Sequence, residues 1–119
     1  MKYFYYNANP KNNFIEDCVI RSLSVAQRKP WVEVYEELSA KAKEKGMLFS
    51  NVSFVEEYLD SLYKRKCVEN KTVGEFAKEH PYNVYLVSMP SHITCIFYGI
   101  VIDTFDCTNR KMWCAWEVD

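Results

Sequence analysis

The chain has 119 residues, 49% of them hydrophobic and 16% aromatic, which suffices for one core and one domain spanning 1–119. Fifteen basic side chains against sixteen acidic ones leave a net charge of -1, so no electrostatic term favours a polyanion and nucleic acid is not an expected partner. No run approaches bilayer-spanning length, and the N-terminal MKYFYYNANPKNN lacks the apolar stretch and small-residue cleavage site of a signal peptide, so a soluble, cytoplasmic protein is expected, with no membrane partner.

In chain order, Asp17 is the candidate N-cap of a first helix that begins at Cys18, with Val19, Leu23 and Ala26 forming its inward stripe. Pro30 ends or restarts that helix. Trp31, Val34, Tyr35, Leu38 and Ala42 then carry a second one to Gly46, a C-cap candidate. Asn51 or Ser53 opens a third, whose apolar side is Phe54, Val55, Tyr58, Leu59 and Leu62. Thr72-Val73-Gly74-Glu75 has the form of a capping box for a short fourth helix closed by Pro81.

From Tyr82 the period becomes that of strands: Tyr82 to Met89, His92 to Tyr98, Ile100 to Phe105 and Met112 to Val118, with Gly99 as a turn signal. Helices followed by strands predict an α+β domain, N-terminal helices packed on a C-terminal antiparallel sheet. The five cysteines, Cys18, Cys67, Cys95, Cys107 and Cys114, form no CxxC pair and no zinc-finger spacing. Their odd number, without a signal peptide, points to free thiols in a reducing compartment rather than a disulfide scaffold.

Two of these features converge on one chemistry. A two-residue turn at Tyr98-Gly99 sets Phe97 opposite Ile100 and Thr94 opposite Asp103, which puts His92 diagonal to Asp103 on the same face. Asp106 falls on the other face, and a bulge would exchange the two aspartates. An aspartate bound to one imidazole nitrogen turns the other toward a thiol. Cys18, at a helix N-terminus, is where a thiolate is favoured. The side-chain amide of Asn13 or Asn12, with the Cys18 backbone N–H, is the candidate oxyanion hole.

The order Asn13, Asp17-Cys18-Val19-Ile20-Arg21, His92 opening a strand, and Asp103-Thr104-Phe105-Asp106 after a Gly99 hairpin resembles the papain-like cysteine peptidase superfamily. It looks most like the small papain-like proteins of bacteriophage and bacterial genomes, and the resemblance runs from Asn13 to Trp116. It implies a minimal papain-like fold with Cys18 as nucleophile, His92 as general base and acid, Asp103 orienting the imidazole and Asn13 as oxyanion donor. The chain is far shorter than papain and lacks the Gly-x-Cys-Trp neighbourhood around the nucleophile, so the resemblance informs the fold more than the substrate.

Each residue also has a plainer reading. Cys18 alone fits a small buried hydrophobe, and Asn12 and Asn13 fit turn residues after Pro10. Arg21 pairs with a core acid or is solvated; the sequence leaves both open. His80, ahead of Pro81, suits a helix C-terminus. The other four cysteines read as spectators: Cys95 alternates away from His92 on its strand, and Cys67, Cys107 and Cys114 have no base nearby in sequence. The aromatic groups at Tyr3 to Tyr6 and at Trp113 and Trp116 read as core and sheet cover, with Tyr3 and Tyr5 as candidate cleft flanks. The leading expectation is a thiol hydrolase acting on a peptide, isopeptide or other amide. The alternatives are a deamidase or acyltransferase with the same triad, and a non-catalytic binding or host-factor-inhibiting module. No cofactor is expected, since there is neither a Gly-rich phosphate loop nor metal-ligand spacing. The oligomeric state is not legible.

Overall fold

The computed structural model describes residues 2–119. All four expected helices form: α1 (Cys18–Gln27), α2 (Trp31–Glu44), α3 (Val52–Leu62) and α4 (Val73–Glu79). Their ends follow the local chemistry. Gly46 adopts φ 66° just past α2, and Met47 N–H donates to Ala42 O at 2.8 Å while Gly46 N–H donates to Lys43 O at 3.1 Å, a Schellman stop that a left-handed glycine permits. Asn51 caps α3 by accepting from Phe54 N–H, and Thr72 and Glu75 satisfy each other's backbone amides in a capping box at α4. Pro30 restarts the chain as a helix, standing at the N-cap of α2.

Six strands make one sheet in the order β1-β5-β4-β3-β6-β2. The four expected strands are β3 (Val84–Met89), β4 (His92–Phe97), β5 (Ile100–Asp103) and β6 (Cys114–Glu117), antiparallel to their neighbours among these four. Two further strands were not expected. β1 (Tyr3–Tyr5) runs parallel to β5, and β2 (Lys64–Cys67) pairs antiparallel with β6, so the sheet is mixed rather than purely antiparallel. β1 is only three residues long, too short to show a period, and β2 reads KRKC with every residue exposed. Lysine and arginine on an edge strand discourage pairing with other chains, which is why β2 carries no apolar alternation.

The hairpin that sets the site has the expected register. Phe97 pairs with Ile100, Ile96 with Val101 and Cys95 with Ile102. Tyr98 and Gly99 both have positive φ, 51° and 83°, the geometry of a two-residue turn whose twist matches the strands. A Cβ on Gly99 would also meet Pro81 Cα at 3.2 Å, so position 99 is held to glycine by backbone and by space.

The sheet is covered on both faces. Against one lie α1, α2 and α3, burying Ile20, Leu23, Leu38, Phe54 and Leu59 on Leu86, Ile93, Cys95 and Trp116. Against the other lie α4 and the segment between β5 and β6, where Val73, Phe76, Cys107 and Met112 meet Val87, Ile96 and Val101. Ser22 of α1 donates to Ile93 O at 3.0 Å, a buried bond that fixes the helix over the start of β4.

The expectation that all cysteines are free is corrected: Cys67 and Cys114, directly opposite on β2 and β6, form a disulfide. Sequence spacing hid the pair because β2 itself was not visible. Cys18, Cys95 and Cys107 remain free thiols.

Candidate active site

Cys18 is the first residue of α1, His92 the first of β4 and Asp103 the last of β5, so three element ends meet at one corner of the sheet. His92 Nε2 lies 2.6 Å from Asp103 Oδ2, with both side chains almost fully buried (6% and 2% exposed). This is the diagonal contact that the Tyr98-Gly99 register requires. With Nε2 taken, Nδ1 is the ring nitrogen left for the thiol of Cys18, which lines the same cleft as His92 and Ile93. Phe105 covers the imidazole, its ring centroid 4.7 Å away.

The electrostatics of this corner favour charge separation. Burial alone pushes the Cys18 thiol up, yet the hydrogen bond from His92, the Ile93 backbone and the positive charges of His92 and Arg21 together bring it below its ordinary value of 9.0. Burial works against a charged His92 as well. The bond to Asp103 overcomes it, aided by contacts with Cys107 and Cys18, and His92 is pushed up to about 11. Asp103 is held below its ordinary 3.8 despite its burial, chiefly by His92. Both shifts run in the direction of a thiolate–imidazolium pair. Cys95 is the internal contrast: enclosed in the core with no such partner, its thiol is pushed far up by burial.

Asp17 occupies the N-cap position, but its side chain makes no capping bond, which corrects the sequence reading. Its Oδ1 accepts from Arg21 Nε at 2.7 Å, and its Oδ2 from Trp31 Nε1 at 2.9 Å and Asn9 Nδ2 at 3.2 Å. The first-turn amides of α1 are thus left without a side-chain cap, and they point out of the helix beside the thiol. Arg21, ambiguous in the sequence, is a buried ion-pair residue that also donates to Asp103 Oδ1 at 3.0 Å.

The thiol opens on a cleft of about 670 Å³. Val19, Val55, Met89 and Ile93 make its apolar floor, and Ile15, Val52 and Trp113 stand half-exposed or more on its rim. Trp116 also reaches this wall from the core, whereas Tyr3 and Tyr5 do not flank it. Tyr3 instead donates its hydroxyl to Asp103 O at 3.3 Å, bracing the end of β5.

Cys18, His92 and Asp103 are brought together; Asn12 and Asn13 are exposed and are not part of the cleft wall. The Asn13 carbonyl accepts from Asn7 Nδ2 at 3.0 Å, which fixes the loop rather than the Asn13 side chain. Asp106 is exposed and spends Oδ1 on the amide and hydroxyl of Thr108. His80 donates from Nδ1 to Phe76 O at 2.9 Å and stacks on Phe76, as a helix-end histidine does.

Two participants escaped the sequence reading. Cys107 is buried against Asp103 Oδ2 at 3.9 Å, with its sulfur within 4.8 Å of a His92 ring nitrogen, so it is not a bystander to the imidazole. Its one signal was a spacing of four residues from Asp103 across a polar turn. Donor atoms of His92, Asp103 and Cys107 all lie within 4.8 Å of one another, the described cluster with ligand types suited to a thiophilic metal. Both carboxylate oxygens of Asp103 are already engaged there by Arg21, the Thr104 amide and His92. Asp17 is the second: the i,i+4 spacing of Asp17 and Arg21 was the available clue to its pairing.

No helix among the described residues is long and apolar enough to cross a membrane. Compared with protein-family models, curated proteins and solved structures, the chain matches none.

Proposed function

We propose that the protein is a thiol hydrolase of the papain-like kind, cleaving a peptide, isopeptide or other amide. The observation that carries this reading is the Cys18–His92–Asp103 arrangement: a thiol at a helix start, sharing a cleft with an imidazole whose Nε2 is 2.6 Å from a buried carboxylate. Cys18 thiolate attacks the carbonyl carbon, and the oxyanion is met by the uncapped amides at the start of α1, since Asn13, the donor the resemblance implied, lies outside the cleft wall. His92 gives its proton to the leaving amine as the C–N bond breaks, leaving a thioester. Water then loses a proton to His92 and attacks the thioester; the C–S bond breaks, the acid departs and the thiolate–imidazolium pair is restored.

Asp103 keeps the ring oriented and its charge balanced through both steps. The apolar cleft floor suits a substrate segment with aliphatic or aromatic groups next to the scissile bond. An amine in place of water would give acyl transfer from the same thioester. The bacteriophage or bacterial origin and the cytoplasmic setting belong to the same proposal and rest on the resemblance. A peptide-based electrophile provides the test: covalent labelling at Cys18 in the wild type, lost in His92→Ala, is expected. Equal labelling of the two would contradict an activated pair.

A further inference from the structure

We infer that Arg21 is a positioning residue: by gripping Asp17 and Asp103 at once, it fixes the carboxylate that aims His92 and ties the helix bearing Cys18 to the end of β5. This rests on the reading of Cys18 and His92 as a reactive pair. Arg21 Nε donates to Asp17 Oδ1 at 2.7 Å, while Nη1 donates to Asp103 Oδ1 at 3.0 Å and to Thr104 Oγ1 at 3.1 Å. The Arg21 side chain is 11% exposed and those of Asp17 and Asp103 are 2% exposed, so water competes little for these bonds.

The division of labour on Asp103 is what makes Arg21 more than a core ion pair. One oxygen faces His92; the other is held by Arg21 and by Thr104 N–H at 2.7 Å, which stops the carboxylate from swinging away from the ring. Arg21 is held in turn, because Asp17 is fixed by Trp31 of α2 and by Asn9 of the N-terminal loop. Asp17, Cys18 and Arg21 share the first turns of α1, so a grip on β5 by Arg21 also sets the distance from the thiol to His92. The charges alternate along the row Cys18 thiolate, His92 imidazolium, Asp103, Arg21, Asp17, and each buried charge has an opposite neighbour. Taking out the guanidinium leaves two buried carboxylates without a counter-charge. A lysine, as a point charge, cannot span both in the planar fork that Arg21 uses. The titratable groups facing His92 are Cys18 from α1, Asp103 from β5 and Cys107 from the segment after it; those bound by Arg21 are Asp17 and Asp103.

The test is alkylation of Cys18 by iodoacetamide across pH in wild type, Arg21→Lys, Arg21→Met, Asp103→Asn and the Arg21→Met/Asp103→Asn double variant, with Cys18→Ala as the background to subtract. Below pH 7 the Arg21→Met rate is expected to fall by about tenfold or more, as the thiolate fraction drops. Arg21→Lys should lie between it and the wild type. In the Asp103→Asn background, Arg21→Met should change the rate by less than about twofold, since residues acting through one partner are non-additive. Arg21→Lys is the gentler variant should Arg21→Met fail to fold. A wild-type profile in Arg21→Lys overturns the inference even if its melting temperature drops, because a merely structural residue would move stability and not the profile. Full additivity of the double variant overturns it too, placing the effect on Cys18 directly. A wild type with no reaction below pH 7 sinks the thiolate–imidazolium pair and the proposed function along with it, an outcome distinct from either of these.

Discussion

The corner where α1 meets β4 and β5 and the opposite edge where β2 meets β6 use charge in opposite ways. At the corner, Asp17, Arg21, His92 and Asp103 are buried and interlocked. At the edge, Arg65 reaches Asp60 and Glu56 at a surface where each partner is about one third exposed or more, and a disulfide does the fastening. Exposed pairs contribute little and tolerate change, whereas each buried charge depends on its neighbour. The contrast puts the candidate reactive groups and the covalent fastening in separate parts of this small sheet, so loosening the edge should leave the corner's readout in place.

The largest separation is expected from the triad. Cys18→Ala or His92→Ala should lower amide hydrolysis by about 10³-fold or more, as for other nucleophile–base units; Cys18→Ala should keep the melting temperature within a few degrees in a thermal scan, whereas His92→Ala also strands the buried Asp103 and lowers it.

Breaking the disulfide should do the reverse. It closes 47 residues, and Cys67→Ser is expected to lower the unfolding free energy by about 4 kcal/mol on the chain-entropy scale, measured by denaturant titration, with the Cys18 pH–reactivity profile unchanged. A shifted profile would mean that the edge and the corner are coupled through the cleft wall at Trp113 and Trp116.

A pH series sharpens the comparison further. His92 binds its proton more tightly folded than unfolded, so its contribution to stability is full below about 6.5 and is lost as the pH rises through about 11. Asp103 is shifted the other way; its contribution is present above its ordinary 3.8 and is lost as the pH falls through its lower folded value. In Asp103→Asn the alkaline decline should flatten, as read from melting temperatures between pH 6 and 10. The smallest effect belongs to the edge: Arg65→Ala should cost about 0.5–1 kcal/mol, the range for exposed pairs, and leave Cys18 reactivity alone.

How much of this was legible in the sequence depended on whether a residue's role was local. The helices and the Tyr98-Gly99 turn are specified by neighbours a few places away, through the Thr72-Glu75 capping box, Gly46, and the even spacing that carries His92 to Asp103. The contact of His92 with Asp103 follows from that register alone. Partners far apart in sequence were hidden. Nothing near Lys64 to Cys67 announces a strand, because an exposed charged edge has no apolar period, and with β2 unseen its Cys67 had no visible mate. Asp17 looked like a cap because short carboxylates at helix starts usually are; only the fold brings Asn9 and Trp31 to it and turns it inward to Arg21. For Cys107, packing against the far side of the imidazole required a segment whose path no periodicity could give.

The proposed function stands on Cys18 and His92 existing as a thiolate and an imidazolium held by Asp103. The most direct measurement is the pH dependence of Cys18 alkylation in the folded wild type and in His92→Ala, with Cys18→Ala defining the background. Reaction that persists well below pH 7 in the wild type and disappears in His92→Ala is the predicted result. Titration near the ordinary thiol value of 9.0 in both proteins would contradict it and return Cys18 to the core.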